Sequence, residues 1–156
     1  MRRPAAAVIV AAAAIAVAAS APAADFRVTA EAPTVLYDAP SARAKPQFVY
    51  GRDVPVEVLV GVEGWTKVRD AAGTIGWIAA RSLTERRVLQ VRVPVADARA
   101  NADEAAPVAF RAADGVLLEL AEPAGSAATT AFPGWVKVRH RDGAVGYVRV
   151  SQVFGL

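Results

Sequence analysis

Residues Gly64–Trp77 read GWTKVRDAAGTIGW, and residues Gly134–Tyr147 read GWVKVRHRDGAVGY. Gly64, Trp65, Lys67, Val68, Arg69, Gly73 and Gly76 recur as Gly134, Trp135, Lys137, Val138, Arg139, Gly143 and Gly146, each displaced by seventy positions. Fixed spacing with fixed glycines marks one small folding unit present twice. Within each copy, apolar and polar residues alternate on either side of a polar turn, Asp70–Gly73 or His140–Gly143. Period-two alternation around a turn ending in glycine predicts a hairpin, because glycine accepts the positive φ such turns need.

The same alternation predicts further strands around the hairpins. In the first copy these lie near Phe26–Ala30, Val35–Tyr37, Phe48–Tyr50, Val54–Val62, Trp65–Arg69 and Thr74–Ile78. In the second they lie near Val88–Val93, Val108–Phe110, Val116–Leu120, Trp135–Arg139 and Val145–Val150. Ser82-Leu83 and Ser151-Gln152-Val153 read as brief helical turns that end each unit. Short strands at this density predict an all-β chain of two tandem small β-barrels, since closure removes exposed sheet edges. Thr84-Glu85-Arg86-Arg87 is the charged junction, which divides the chain into units 24–84 and 85–156. Ala121–Pro133 is an insertion of the second copy and reads as a surface loop.

Residues 1–23 read as a signal peptide. Arg2 and Arg3 precede an apolar run from Ala5 to Ala19, and Ala21-Pro22-Ala23 is a small-x-small cleavage pattern. The run falls short of the roughly 20 apolar residues a membrane span needs. The expected mature chain starts near Ala24, is periplasmic or secreted, and has no membrane span. The full sequence carries 18 Lys+Arg against 15 Asp+Glu, and losing Arg2 and Arg3 leaves 16 against 15, a net charge of +1. That balance gives no reason to expect a nucleic-acid partner.

The chain has no cysteine and one histidine, His140. Disulfides, thiol catalysis and Cys-ligated zinc are therefore excluded. His140 sits in a hairpin turn beside Asp142 with no cleft or oriented partner evident, and no serine has the setting of a nucleophile. The acids are scattered and none falls at calcium-loop spacing. No enzyme, cofactor or metal is expected.

The Gly-Trp-x-Lys-Val-Arg strand, the Gly-[Trp/Tyr]-[Ile/Val] strand and the closing Ser-x-[Leu/Val] turn, in duplicate, resemble the bacterial SH3 (SH3b) family. Val35–Ser41 stands where that family has its long first loop. The resemblance implies two tandem SH3-like domains that are non-catalytic and recognise cell-wall peptides or an envelope protein. Val95–Asn101 keeps neither the tyrosine nor the proline of the first copy's loop.

Strand alternation sorts the candidate binding residues by face. Val136, Val138, Val148 and Val150 read as core, which leaves Trp135 and Tyr147 together on the opposite face. Val68 and Ile78 read as core in the first copy, which pairs Trp65 with Trp77. The expected ligand surface lies mainly on the first copy, on Tyr37, Asp38, Tyr50, Trp65 and Trp77 with Lys67 and Arg69 beside them. Such a set suits a groove for a peptide or an extended, Pro-rich segment. The competing reading has the aromatics plugging the barrel ends, in an accessory protein that works by packing alone. Arg69, Arg81, Arg86, Arg87, Arg139, Arg141 and Arg149 read as a solvated face with acids interspersed.

Overall fold

The computed structural model describes residues 24–122 and 132–156; the expected signal peptide and residues 123–131 of the insertion lie outside them. The first copy runs β1 (Asp25–Thr29), β2 (Thr34–Tyr37), β3 (Pro46–Tyr50), β4 (Pro55–Val62), β5 (Trp65–Arg69), β6 (Ile75–Ala79) and β7 (Leu83–Thr84). The second runs β8 (Val88–Val91), β9 (Val95–Arg99), β10 (Val108–Ala113), β11 (Leu117–Leu120), β12 (Trp135–Arg139), β13 (Val145–Arg149) and β14 (Val153–Phe154). A 3-10 turn, Ala80–Ser82 or Val150–Gln152, precedes the last strand of each. The strand orders are β3-β2-β6-β5-β4-β1-β7 and β10-β9-β13-β12-β11-β8-β14, so the second sheet repeats the first element for element. Two tandem SH3-like β-barrels result.

Three strands go beyond the sequence expectation. β9 is built on Ala96, Asp97 and Ala98, residue types with little intrinsic strand preference, and it forms because β10 and β13 hold it on both sides. β7 and β14 were expected only as ends of helical turns. Each pairs with the first strand of its own copy, β1 or β8.

Each sheet turns one face onto its own core. Leu36, Tyr50, Val56, Val68 and Ile78 fill the first, and Leu89, Val91, Leu118, Val136, Val138 and Val148 are the larger members of the second. Registers make the copies comparable residue by residue. Leu36 faces Phe48 as Ala98 faces Phe110, so Ala98 and Ala112 stand where the first copy has Leu36 and Tyr50. Phe110 makes up part of the lost volume by leaning onto the second core, whereas its counterpart Phe48 is exposed. The loops after β2 and β9 also coincide. Asp38 N–H donates to Lys45 O and Ala100 N–H to Pro107 O, and Ala44 N–H to Ser41 O matches Ala106 N–H to Asp103 O. The second copy has thus changed the side chains of its first loop and kept the backbone.

The two barrels touch. Phe26 and Phe154 meet edge to face with ring centroids 5.1 Å apart. At Gly155, whose φ is +113°, a Cβ would lie 2.7 Å from Val88 O and 3.2 Å from Pro55 Cβ. Arg86, in the junction, donates one N–H to Asp53 of the first barrel at 2.7 Å and another to Glu119 of the second at 2.8 Å.

Candidate functional site

Cross-strand register collects four of the expected residues on one face of the first barrel. Tyr37 and Trp77 are direct partners, Lys67 and Trp77 are direct partners, and Trp65 precedes Lys67 by one pleat on the same face. Lys67 Nζ lies 5.8 Å from the Trp77 ring. Trp65 shares this face with Trp77, as expected, but its ring contact is elsewhere. Its cross-strand partner is Ala79, and its ring meets the edge of Tyr37 at 5.6 Å and 90°. Tyr37 is the last residue of β2, where the expected strand Val35–Tyr37 also ends, and the loop begins after it.

Because Ala79 is small, the Trp65 ring stays half-exposed beside Tyr37. A groove of about 490 Å³ opens there, walled by Pro33, Tyr37, Ala42, Trp65, Ala79 and Arg81. An aromatic pair with a proline and one cation at the rim is suited to an extended chain. Asp38 is not a wall of the groove; it closes the loop after β2, its Oδ1 accepting Lys45 N–H at 3.0 Å.

Three expectations are corrected. Tyr50 is a core residue, only 5% exposed, with its hydroxyl donating to Asp70 Oδ2 at 2.9 Å. Its ring fills the volume that Ala112 leaves to Phe110 in the second copy. Arg69 is at the far end of β5 and is held by Glu57, with nitrogen–oxygen distances of 2.7 and 2.9 Å. Trp135 is buried, because its cross-strand partner is Arg149 rather than an alanine. The Arg149 guanidinium covers the indole at 4.2 Å and is anchored to Glu104 Oε1 at 2.6 Å. Tyr147 is left to pack on Phe132 at 6.0 Å, beside Lys137, which Glu122 holds at 3.0 Å. The Glu122 carboxylate raises the Lys137 ammonium above its ordinary range.

The place where the first copy has its aromatic groove is thus a charged site in the second. Arg99 stands at the position of Tyr37, Glu104 at that of Ala42 and Arg149 at that of Ala79, and the remaining space is about 250 Å³. Ala42, Ala79 and Pro33 carry no chemistry of their own and were not expected at the site. Aligning Ala79 with Arg149 in the repeat is the signal that would have shown them. The arginines read as a solvated face do have acids among them, since Arg69, Arg86 and Arg149 each hold a carboxylate.

Tyr50 carries a pH prediction. Burial, and then the hydrogen bond and charge of Asp70, push its hydroxyl above the ordinary 10.0. The folded state holds this proton more tightly than the unfolded chain, so the stabilisation is complete below about pH 10 and is lost as pH rises above it. Tyr50→Phe should cost about 1 kcal/mol at pH 7 and should flatten the loss of stability above about pH 10. Urea midpoints at pH 7 and 10.5 check both; equal alkaline slopes in the two proteins would contradict the assignment.

Among the described residues there is no group of three or more His, Asp or Glu placed to hold a metal, and no helix long and apolar enough to cross a membrane. No curated protein matches the chain. Among solved structures, NlpC2 from Trichomonas vaginalis is similar at 16% identity and a TM-score of 0.35, covering 86% of this chain and 49% of that one. NlpC1 from Trichomonas vaginalis is similar at 16% identity and a TM-score of 0.34, covering 87% and 47%. The chain therefore spans about half the length of these structures. The family model of the bacterial SH3 domain matches residues 30–85 and again 92–155, one match on each barrel, and the chain belongs to that family.

Proposed function

We propose that this protein is an exported, non-enzymatic binding module of the cell envelope, whose first barrel takes an extended peptide of the cell wall in the Tyr37–Trp65 groove. The open groove beside Ala79 carries the reading. Membership in a family whose domains commonly bind cell-wall components supports it. The order Arg2-Arg3, apolar run, Ala-Pro-Ala supports export. The second barrel, with Trp135 under Arg149, acts as a packing partner. A peptide laid across the pair gains most from ring contacts that exclude water, the mode in which tyrosine and tryptophan dominate binding energy.

The test uses protein recovered from the periplasm, with a mass placing its start near Ala24, and purified wall sacculi. Tyr37→Ala should weaken sedimentation with sacculi about tenfold. Its melting midpoint is recorded in parallel, because Tyr37 is half-buried. Normal binding by Tyr37→Ala, or a full-length chain confined to the cytoplasm, would overturn the reading and leave an accessory protein that acts by packing.

A further inference from the structure

The two barrels enclose a cleft distinct from the aromatic groove. One end, about 430 Å³, lies between Arg52 and Asp53 of the first barrel and Glu119 and Arg141 of the second, with Arg86 between them. The other end, about 300 Å³, is mainly apolar, lined by Val49, Tyr50, Val54 and Leu117. Gln90 and Asp70 are also at its wall, the Asp70 carboxylate accepting from the Tyr50 hydroxyl. Gly115 and Leu117 line both ends, so the two adjoin.

Charge in the cleft is unevenly satisfied. Arg86 answers both acids, one from each barrel, at 2.7 and 2.8 Å. Arg52 has Asp53 at 4.0 Å, a carboxylate that Arg86 already holds. Arg141 forms no ion pair within 4.0 Å among the described residues, and His140 beside it turns Nδ1 to Asp142 at 3.0 Å. Each barrel therefore offers the cleft one guanidinium, Arg141 without an ion pair among the described residues and Arg52 with only the long contact to Asp53. A guanidinium is a donor fork shaped for carboxylates. At the apolar end β3 is the last strand of its sheet, and the edge it turns away from β2 has no partner strand. Its residues Pro46–Val49 carry no charge that would repel an added strand.

We propose that this cleft binds an extended acidic peptide segment, with carboxylates at Arg52 and Arg141 and apolar side chains against Val49, Val54 and Leu117. Each guanidinium belongs to a different barrel, so the site exists only where both are present. A strand lying along β3 would meet unpaired backbone groups as well as the apolar floor, the usual route by which a sheet edge takes a peptide.

A synthetic peptide of three valines followed by three glutamates, titrated into the two-barrel protein at low salt and followed by amide NMR shifts, tests this. Shifts should centre on Gly51, Gly115 and Val116. Arg52→Ala and Arg141→Ala should each weaken binding about tenfold, while Arg43→Ala, which removes an equal charge from an exposed loop, should change it less than about twofold. Ala79→Arg should leave this binding intact, which separates the cleft from the aromatic groove. Equal losses in all three arginine variants would show bulk charge alone and overturn the proposal. Shifts centred on Trp65, or inorganic phosphate producing the same shifts at the same concentration, would overturn it as well.

Discussion

Gly76→Val is expected to unfold most of the first barrel. Gly76 is where β6 runs closest beside β2, and even a methyl group there would lie 2.6 Å from Leu36 Cγ and 2.8 Å from Tyr37 O. The second of these is backbone, so no rotamer change relieves it. Overpacking of this kind costs about 1–3 kcal/mol or more. A core of this size rarely supplies more than about 3–5 kcal/mol. The first barrel should therefore lose cooperative unfolding or show it at a much lower urea midpoint, read by the fluorescence of Trp65 and Trp77. The equivalent Gly146 has more room, with Ala98 Cβ and Arg99 O at 3.1 Å and Phe110 at 3.3 Å, so Gly146→Val should cost less. Gly51→Ala is the control, since nothing lies within 4 Å of its added Cβ. Its effect should stay within about 0.5 kcal/mol. A Gly76→Val protein as stable as Gly51→Ala would mean that β2 does not lie against Gly76 as described.

The glycines explain why the fold was legible and the site less so. Gly73 and Gly143, at φ +88° and +94°, make turns that only a few residue types accept, and their spacing alone implied two copies of one hairpin. Valine alternation then placed Val68, Ile78, Val138 and Val148 in the cores where they are found, but not Val150, which opens the 3-10 turn and is exposed. Period two also set Trp65, Lys67 and Trp77 on one face, but it could not say which of them touch. Contact across a sheet depends on register between strands distant in sequence, such as Tyr37 with Trp77. Tyr50 was misplaced for a related reason. Its burial depends on the hydroxyl finding Asp70, twenty residues on, and an aromatic with a satisfied polar tip reads the same in sequence whether it is inside or outside. Trp135 failed through its neighbour, since a sequence shows a tryptophan but not the guanidinium that covers it.

That covering group provides the decisive experiment on the aromatic groove. The loops after β2 and β9 share one backbone course, so Ala42 occupies the place of Glu104, and Ala79 occupies the place of Arg149. Ala42→Glu with Ala79→Arg should transplant the plug. The new guanidinium would lie on Trp65 as Arg149 lies on Trp135, tied by a carboxylate as Glu104 ties Arg149 at 2.6 Å. The second barrel already folds around this pair, so the double variant should keep its melting midpoint within a few degrees. A cation stacked on an indole and held by an ion pair contributes about 1–2 kcal/mol, which offsets the side-chain entropy of ordering it. The groove would nevertheless be filled, and sacculus or wall-peptide binding should fall by more than about tenfold. The reciprocal pair, Glu104→Ala with Arg149→Ala, uncovers Trp135 but still lacks the tyrosine, because Arg99 stands at that position. It should therefore gain only weak binding, and adding Arg99→Tyr should strengthen it. Loss of binding without loss of stability separates a groove from a structural aromatic pair, a distinction that truncating either ring cannot make. If the double variant still binds sacculi as the natural sequence does, the Tyr37–Trp65 pair is packing alone and the ligand surface lies elsewhere on the two barrels.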